Sequence, residues 1–204
     1  MLLRTTYTLA LLAISLTALA EPNTTDMQFG AIQISQSSQK KLHHSGVLQL
    51  DNVKVEGDTL INGYLLAKNS SFHDLTVNGQ CQLENTELLG PLSINGQLQL
   101  KNVNAEGPIT VYGFLGARNT QFAKPITITS ANLDLIDSNA QNITIEPVKD
   151  LKQTLNLTRS TVNGDITFTS GKGIVKVDPA SSIKGKVKGG TIEKVAAKPE
   201  EKRQ

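Results

Sequence analysis

The chain has little of what enzymes and globular domains usually depend on. Its 204 residues include no Trp, one Cys and three His, and aromatic residues make up only 4%. A single thiol cannot form an internal disulfide. No zinc-ligand spacing, phosphate-binding loop or nucleophile elbow occurs. The sequence therefore predicts a protein that is not an enzyme, with no catalytic, cofactor-binding or metal-binding residue and no cofactor.

The charge is low and evenly mixed. The formal net charge is +2, and no dense basic stretch is interleaved with aromatic residues. Proteins that bind nucleic acid usually have both a basic face and stacking aromatics. We therefore expect no nucleic-acid partner.

The one long apolar stretch is at the N-terminus. Arg4 precedes an apolar segment from Tyr7 to Leu16, and Ala18-Leu19-Ala20 has the small residues of a cleavage site. A membrane-spanning helix needs roughly 20 apolar residues, and this segment is shorter. We therefore interpret residues 1–20 as a signal peptide. The protein is expected to be exported, to the periplasm or alternatively to the extracellular space, and not to be an integral membrane protein.

A short motif, G-x-L-x-[LA]-x-N, recurs five times. The copies are spaced by 16 or 17 residues and begin at Gly46, Gly63, Gly79, Gly96 and Gly113. A fixed period this short predicts one structural unit stacked on itself. In the third copy Cys81 stands where the other copies have Leu, so we expect its thiol to be a small buried apolar group.

Each repeat contains three short segments in which apolar and polar residues alternate. Alternation with a period of two is typical of half-buried strands. Three strands and three bends in each repeat form one coil. The chain is thus predicted to be an all-β protein, a single-stranded right-handed parallel β-helix (β-solenoid) with 16–17-residue coils. The right-handed sense follows from the general crossover preference.

The asparagine of the motif is predicted to have a structural role at a bend. Asn tolerates the left-handed backbone conformation better than most residues. Stacked Asn side chains also form hydrogen-bonded ladders. We expect one such column, formed by Asn52, Asn69, Asn85, Asn102 and Asn119.

The pattern weakens toward both ends of the chain. Upstream, Gly30 precedes Gly46 by one period, and downstream Asp137 and Arg159 take the place of the motif Asn. The predicted organisation is a signal peptide (1–20), an N-terminal cap or first coil (21–45), a β-helix domain (46–190) and a charged, disordered tail (191–204). Within the domain we predict five regular coils (46–130) and irregular coils (131–190) with an inserted loop (147–152).

The remaining chemically active side chains have simple structural interpretations. His43 and His44 are expected in a solvated entry loop, and His73 is expected to stand alone. Glu56 and Glu106 lie three coils apart, roughly 14 Å, which is too far for joint acid–base catalysis. One outward column is expected to form surface ion pairs that contribute little to stability. It contains Asp51, Lys68, Glu84, Lys101 and Arg118.

A second outward column carries hydroxyl groups. Its residues are Thr76, Ser93, Thr110, Thr127 and Thr144. The column is partly similar to the ice-binding face of some antifreeze proteins, which present two parallel Thr columns. Only Thr127/Thr129 and Thr167/Thr169 form such pairs here. The β-propensity of Thr at an exposed strand centre explains the column equally well.

The glycine-punctuated segments Gly79-Gln80-Cys81-Gln82-Leu83 and Val162-Asn163-Gly164-Asp165-Ile166 resemble right-handed parallel β-helix proteins. Among small members of that class the chain is most similar to bactofilins, bacterial scaffold proteins that polymerise end to end. Bactofilins are cytoplasmic, so the export signal departs from that family. Pectate-lyase-like enzymes share the coil and the Asn ladder, but their clustered Asp, Arg and Lys are not found here.

Three hypotheses of function follow. The first is a non-enzymatic structural, scaffold or protein-interaction protein of the bacterial cell envelope, which binds a protein partner or self-assembles through its coil ends. The second is a β-helix that binds or processes cell-wall or surface polysaccharide, with Tyr64, Tyr112 and Phe114 as candidate sugar-stacking residues. The third is an adhesin or passenger-type surface protein.

Overall fold

The structure is a parallel β-solenoid of about ten turns. It is a computed structural model that describes residues 28–149 and 151–196. The predicted signal peptide (1–20) lies outside the described residues, as do residues 197–204. Strands account for 73% of the structure, and no helix long and apolar enough to cross a membrane occurs among the described residues. The predicted all-β class and the coil of about 17 residues are confirmed.

All strands pair in parallel within a single coiled sheet. The hand of the coil stays a prediction. The strands are β1 (Gln28–Gln39), β2 (Leu42–Lys68), β3 (Ser71–Leu88), β4 (Leu92–Ala105), β5 (Ile109–Arg118), β6 (Gln121–Phe122), β7 (Ile126–Thr129), β8 (Asn132–Ile136), β9 (Asn139–Ala140), β10 (Ile143–Glu146), β11 (Gln153–Thr158), β12 (Thr161–Val162), β13 (Ile166–Phe168), β14 (Gly173–Val177), β15 (Ser182–Ile183), β16 (Val187–Lys188) and β17 (Gly190–Lys194).

The register places equivalent residues of successive coils directly above one another. Gly30 pairs with Gly46, Gly79 with Gly96, and Gly96 with Gly113. Inward Leu, Ile and Val side chains form one continuous apolar core along the stack. Cys81 is 0% exposed and lies in that core, as predicted.

The motif glycine forms the first corner of each coil. The φ angles of Gly63, Gly79, Gly96 and Gly113 lie between 137° and 142°, in a region that L side chains rarely adopt. Each of these glycines also sits against the backbone carbonyl oxygen of the glycine one coil earlier, so a Cβ atom would clash with that oxygen. The stacking itself therefore requires glycine in this column.

The motif asparagine forms a second corner, where the backbone is left-handed. In the described part of the chain eight non-glycine residues have positive φ, between 47° and 56°, and all occupy this corner: Gln36, Asn52, Asn69, Asn85, Asn102, Asn119, Asp137 and Arg159. The prediction that Asp137 and Arg159 replace Asn is confirmed. Gln36 adds one coil to the column at its N-terminal end.

The asparagine ladder spans four of the five predicted residues. Asn85, Asn102 and Asn119 each donate Nδ2–H to the Asn of the preceding coil at 2.8–3.2 Å. Asn69 donates to Asp51 Oδ1 at 3.0 Å and not to Asn52, which corrects the first step of the predicted ladder. Farther along the column, the Arg159 guanidinium donates two hydrogen bonds to the Asp137 carboxylate.

Buried hydroxyl groups reinforce the same corner. Ser70, Thr86, Thr120, Ser138 and Ser160 each donate to the carbonyl oxygen two residues earlier. The hydroxyls of Ser70, Ser138 and Ser160 also accept a backbone N–H from the preceding coil. These bonds satisfy polar groups that the tight bend buries.

The histidines differ from their predicted environments. His43 and His44 lie within β2 and not in an entry loop. His44 is 0% exposed because its side chain takes an inward place that Ile61, Val77 and Ile94 hold in later coils. Its Nε2 lies 2.9 Å from the Gly30 carbonyl oxygen, and its Nδ1 has no partner among the described residues. His73 is not alone: its Nδ1 lies 2.9 Å from Asp74 Oδ1 on the surface.

The C-terminal coils are wider and less regular. Between β10 and β11 residues 147–149, 151 and 152 lie outside strands, and the chain needs 22 residues to return from Asp134 to Asn156. The last strand, β17, pairs in register with β14. It includes residues 191–194 of the segment expected to be a disordered tail, so β structure continues past residue 190.

Candidate functional site: an uncharged outward face

One outward face of the regular coils carries no charged residue in its two central columns. These columns hold the first and third residues after the motif glycine, and we call them the glutamine face: Val47, Gln49, Tyr64, Leu66, Gln80, Gln82, Gln97, Gln99, Phe114 and Gly116. Their side chains point outward because the residues between them are inward Leu, Ala and Cys. Because successive side chains of a strand point to opposite surfaces, every second residue of these strands belongs to this face.

Four glutamines form the centre of the face. Gln80 pairs with Gln97 and Gln82 with Gln99 in the register of β3 and β4. Neighbouring strands lie about 4.8 Å apart, so the four amides form a compact array on adjacent coils. Each amide offers one carbonyl acceptor and two N–H donors. The array therefore suits a ligand that is polar, uncharged and rich in both donors and acceptors.

Two aromatic side chains border the array. Tyr64 pairs with Gln80, and Gln97 pairs with Phe114, so both aromatics lie in the same column three coils apart, roughly 14 Å. This is the alignment that the sequence predicted. The Phe114 ring lies over Gly116, where a Cβ atom would be 3.1 Å from Cε1 of the ring. The absence of a side chain at Gly116 leaves room for the ring to lie against the sheet.

The third predicted aromatic lies elsewhere. Tyr112 is 56% exposed and precedes the Gly113 corner, whereas Phe114 follows it. Tyr112 pairs with Asn95 and Thr129, which belong to the adjacent face. It therefore does not join Tyr64 and Phe114 on the glutamine face.

A column of ion pairs runs along the edge of the glutamine face. The Glu84 carboxylate lies 2.6 Å from Lys101 Nζ and 3.6 Å from Lys68 Nζ. The hydrogen bond and charge of Lys101 are the main cause that lowers the pKa of Glu84. The predicted alternation of charge is confirmed for these residues. Exposed pairs of this kind contribute little to stability, and here they partly neutralise the edge of the face.

Cys81 and Glu56 have pKa values that their surroundings shift in opposite directions. Burial raises the pKa of the Cys81 thiol far above its usual range, so a thiolate nucleophile does not form there at neutral pH. The pKa of Glu56 is lowered by a hydrogen bond from Lys54, on the surface. Within residues 28–149 and 151–196 no three His, Cys, Asp or Glu side chains converge as a metal site would require.

The hydroxyl column also has the predicted alignment. Thr76, Ser93, Thr110 and Thr127 pair in register, and Thr144 and Thr167 continue the column. The neighbouring column holds Asn95, Tyr112 and Glu146 beside single Thr residues, and the Thr169 hydroxyl donates to Glu146 Oε2 at 2.8 Å. The two regular Thr columns of an ice-binding face are therefore not formed.

The glutamine array is the part of the site that the sequence hypotheses missed. The signal was the G-Q-x-Q spacing, which occurs in the third and fourth copies at Gly79 and Gly96. Outward polar residues vary freely in a solenoid, so this spacing becomes meaningful only when the two copies stack. Tyr64 and Phe114, in contrast, were found because aromatic residues are rare in this chain.

Together the fold and the faces define the class of the protein, a parallel β-solenoid with flat outward faces. The chain matches no protein-family model, and it has no significant similarity to a curated protein or to a solved structure.

Proposed function

We propose that the protein is a non-enzymatic scaffold of the bacterial cell envelope, exported to the periplasm by its N-terminal segment. The supporting observation is the stack of about ten coils in which inward and corner positions serve the fold. What remains for specificity is the set of outward columns and the two coil ends. A rigid rod with flat faces is suited to holding partners at fixed spacing.

The coil ends are suited to assembly with a second copy. At the N-terminal end, Phe29 is 72% exposed, and Ile32 and Ile34 are only partly buried. At the C-terminal end, Ile192 is 55% exposed. The strands β1 and β17 each have one edge that no described strand covers, and such edges pair readily with another strand. The resemblance to bactofilins supports end-to-end assembly of this kind.

The charges at the two ends oppose that contact. Lys40 and Lys41 lie in the first described coils, where Lys41 pairs with Asp58 at 3.4 Å, and the last coils are rich in lysine. Because like charges repel and salt screens them over about 10 Å at 0.1 M, we expect assembly through the ends to be stronger at high ionic strength.

Electron microscopy of the protein purified from cells that express the full chain tests this proposal. We expect short filaments whose length increases when the salt concentration is raised. The control is Ile192→Lys, which adds a charge at the coil end and should shorten the filaments. Uniform single rods of roughly 45 Å at every salt concentration, the height of one stack, would contradict end-to-end assembly.

Polysaccharide binding is the second candidate function. The observation that favours it is the glutamine face, where amides capable of bonding sugar hydroxyls lie between Tyr64 and Phe114. Aromatic rings offer flat apolar surfaces, and large aromatics are frequent among residues that dominate binding. An uncharged face of this composition is suited to a neutral chain of sugars.

A glycan array tests the second candidate. We expect binding to a neutral polysaccharide, reduced about tenfold or more by Tyr64→Ala or Phe114→Ala, since buried aromatic contacts often contribute more than 1 kcal/mol. Tyr112→Ala is the matched control, because it removes an exposed aromatic from the adjacent face and should leave binding unchanged. Binding to no glycan, or equal losses in all three variants, would remove this candidate.

A further inference from the structure

The last coils of the solenoid carry a concentration of positive charge that the net charge of the chain conceals. Residues 172–196 contain six lysines and two acidic residues. Residues 51–100 contain two lysines and six acidic residues. The rod therefore has an acidic region behind its first described coil, which itself carries Lys40 and Lys41, and a basic C-terminal end.

The six lysines surround the coil end and do not form a stripe along one face. We call them the lysine ring: Lys172, Lys176, Lys184, Lys186, Lys188 and Lys194. Lys176 belongs to β14, on the side of the rod that carries the glutamine face, and Lys194 of β17 pairs with Val177 at an inward place where the described stack ends. Lys188 belongs to β16, which continues the hydroxyl column, and Lys184 follows β15 on the third side. All six lie within the last two coils, a height of about 10 Å.

Most of this charge is not neutralised within the fold. Lys188 pairs with Asp165 at 2.7 Å, and the backbone N–H of Lys186 donates to the same carboxylate. The side chains of Lys172, Lys176, Lys184 and Lys194 form no ion pair with a described residue. Of the two acidic residues, Asp178 is buried and accepts hydrogen bonds from Arg159 N and Ser181 Oγ, and Glu193 is exposed and stands opposite Lys176 in the register of β14 and β17.

Apolar side chains occupy the centre of the ring. Ile192 is 55% exposed, and Ile183 and Val187 are only partly buried because no further described coil covers them. Lysines around an apolar centre are the composition that binds an anionic lipid surface. The apolar groups enter the boundary of the headgroups and the ammonium groups attract the phosphates.

We propose that the C-terminal end of the solenoid, where no second copy covers it, docks end-on to an anionic lipid bilayer through the lysine ring. A plane perpendicular to the rod contacts all three sides of the ring at once, whereas a linear soluble polyanion follows one side. The acidic coils of residues 51–100 lie several coils away and are repelled by the same surface, which favours the upright orientation. The glutamine face then projects away from the membrane.

Vesicle sedimentation of the protein purified from cells that express the full chain tests the proposal. We expect binding to vesicles of phosphatidylglycerol mixed with phosphatidylcholine, and little binding to phosphatidylcholine alone. The variant Lys172→Gln/Lys176→Gln/Lys184→Gln/Lys194→Gln should reduce binding on the order of several hundredfold, since each lysine near an anionic surface contributes roughly fivefold.

A matched control removes the same charge elsewhere. Lys40→Gln/Lys41→Gln/Lys124→Gln/Lys149→Gln should retain most of the binding, because these exposed lysines lie outside the ring. Equal losses in both variants would overturn the proposal, since general attraction to the net charge would then explain the binding. Equal melting temperatures of the two variants confirm that both are folded.

The variant Ile192→Ser distinguishes binding to a bilayer from binding to a soluble polyanion. It should weaken vesicle binding but leave binding to dextran sulfate, a soluble anionic polysaccharide, unchanged. If Ile192→Ser has no effect on vesicle binding, or if the protein binds dextran sulfate and not anionic vesicles, the lysine ring is a polyanion site and the proposal is wrong.

Discussion

Replacing Gly96 with Ala is expected to reduce the stability of the solenoid by about 3–5 kcal/mol, in the range of the most damaging single substitutions. The φ of Gly96 is 142°, and its added Cβ would clash with the carbonyl oxygen of Gly79. Neither atom can move away independently, because both belong to backbone that pairs with coils above and below. A denaturant titration followed by circular dichroism measures the loss.

Gly116→Ala is the matched control for Gly96→Ala. Gly116 lies in the next coil, its φ is not in the left-handed region, and a Cβ there meets only the Phe114 ring, at 3.1 Å. A side chain of this kind has room to turn, so we expect a change of less than about 1 kcal/mol. Equal losses for the two variants would show that the glycine corner tolerates a side chain and that the stacking explanation is wrong.

The corners of the coil could be predicted because each requires one residue type. A left-handed backbone favours Asn, and contact between backbone chains requires Gly. The prediction therefore extended correctly to Asp137 and Arg159, whose φ angles are 50° and 47°. At these positions the residue type directly indicates the backbone conformation.

The interior was less predictable where a polar residue takes an inward place. His44 and Thr59 are both buried, and His44 Nδ1 and Thr59 Oγ1 have no partner among the described residues. Only their register relative to the corner glycines shows that they point inward. The weak pattern of the first coil and the neighbouring Lys40 and Lys41 predict a solvated loop for His44. That prediction is wrong because stacking with neighbouring coils outweighs the preference of a single residue.

The functional surfaces depend on distances that the sequence does not contain. Tyr64 and Phe114 could be aligned by counting residues, but the glutamines between them were not noticed as an array. The lysines of the last coils are spread along the sequence from Lys172 to Lys194. They surround the coil end only because a single coil places lysines on three sides of the rod at nearly the same height. The sequence also did not predict that β17 extends the stack.

Gly173→Ala is expected to destabilise the C-terminal coils by about 2–3 kcal/mol through overpacking. Phe168 is 2% exposed and pairs with Ile145, so it places a large ring in a column that holds Ile or Val in the coils from Ile61 to Ile145. The ring fills space next to Gly173 and Gly190, and a Cβ on Gly173 would overlap the ring itself. The glycines at these two positions therefore serve the side chain of Phe168 and not a turn of the backbone.

A double-mutant cycle with Phe168→Ile tests that explanation. Phe168→Ile alone should cost about 1–2 kcal/mol because it leaves a cavity. In that background Gly173→Ala should cost much less than in the unmodified protein, with a coupling of about 1–2 kcal/mol. Thermal unfolding of the four proteins measures the cycle. If Gly173→Ala lowers the free energy of unfolding equally in both backgrounds, the added Cβ clashes with backbone atoms and not with the Phe168 ring. Gly173 would then be required for the same reason as the corner glycines.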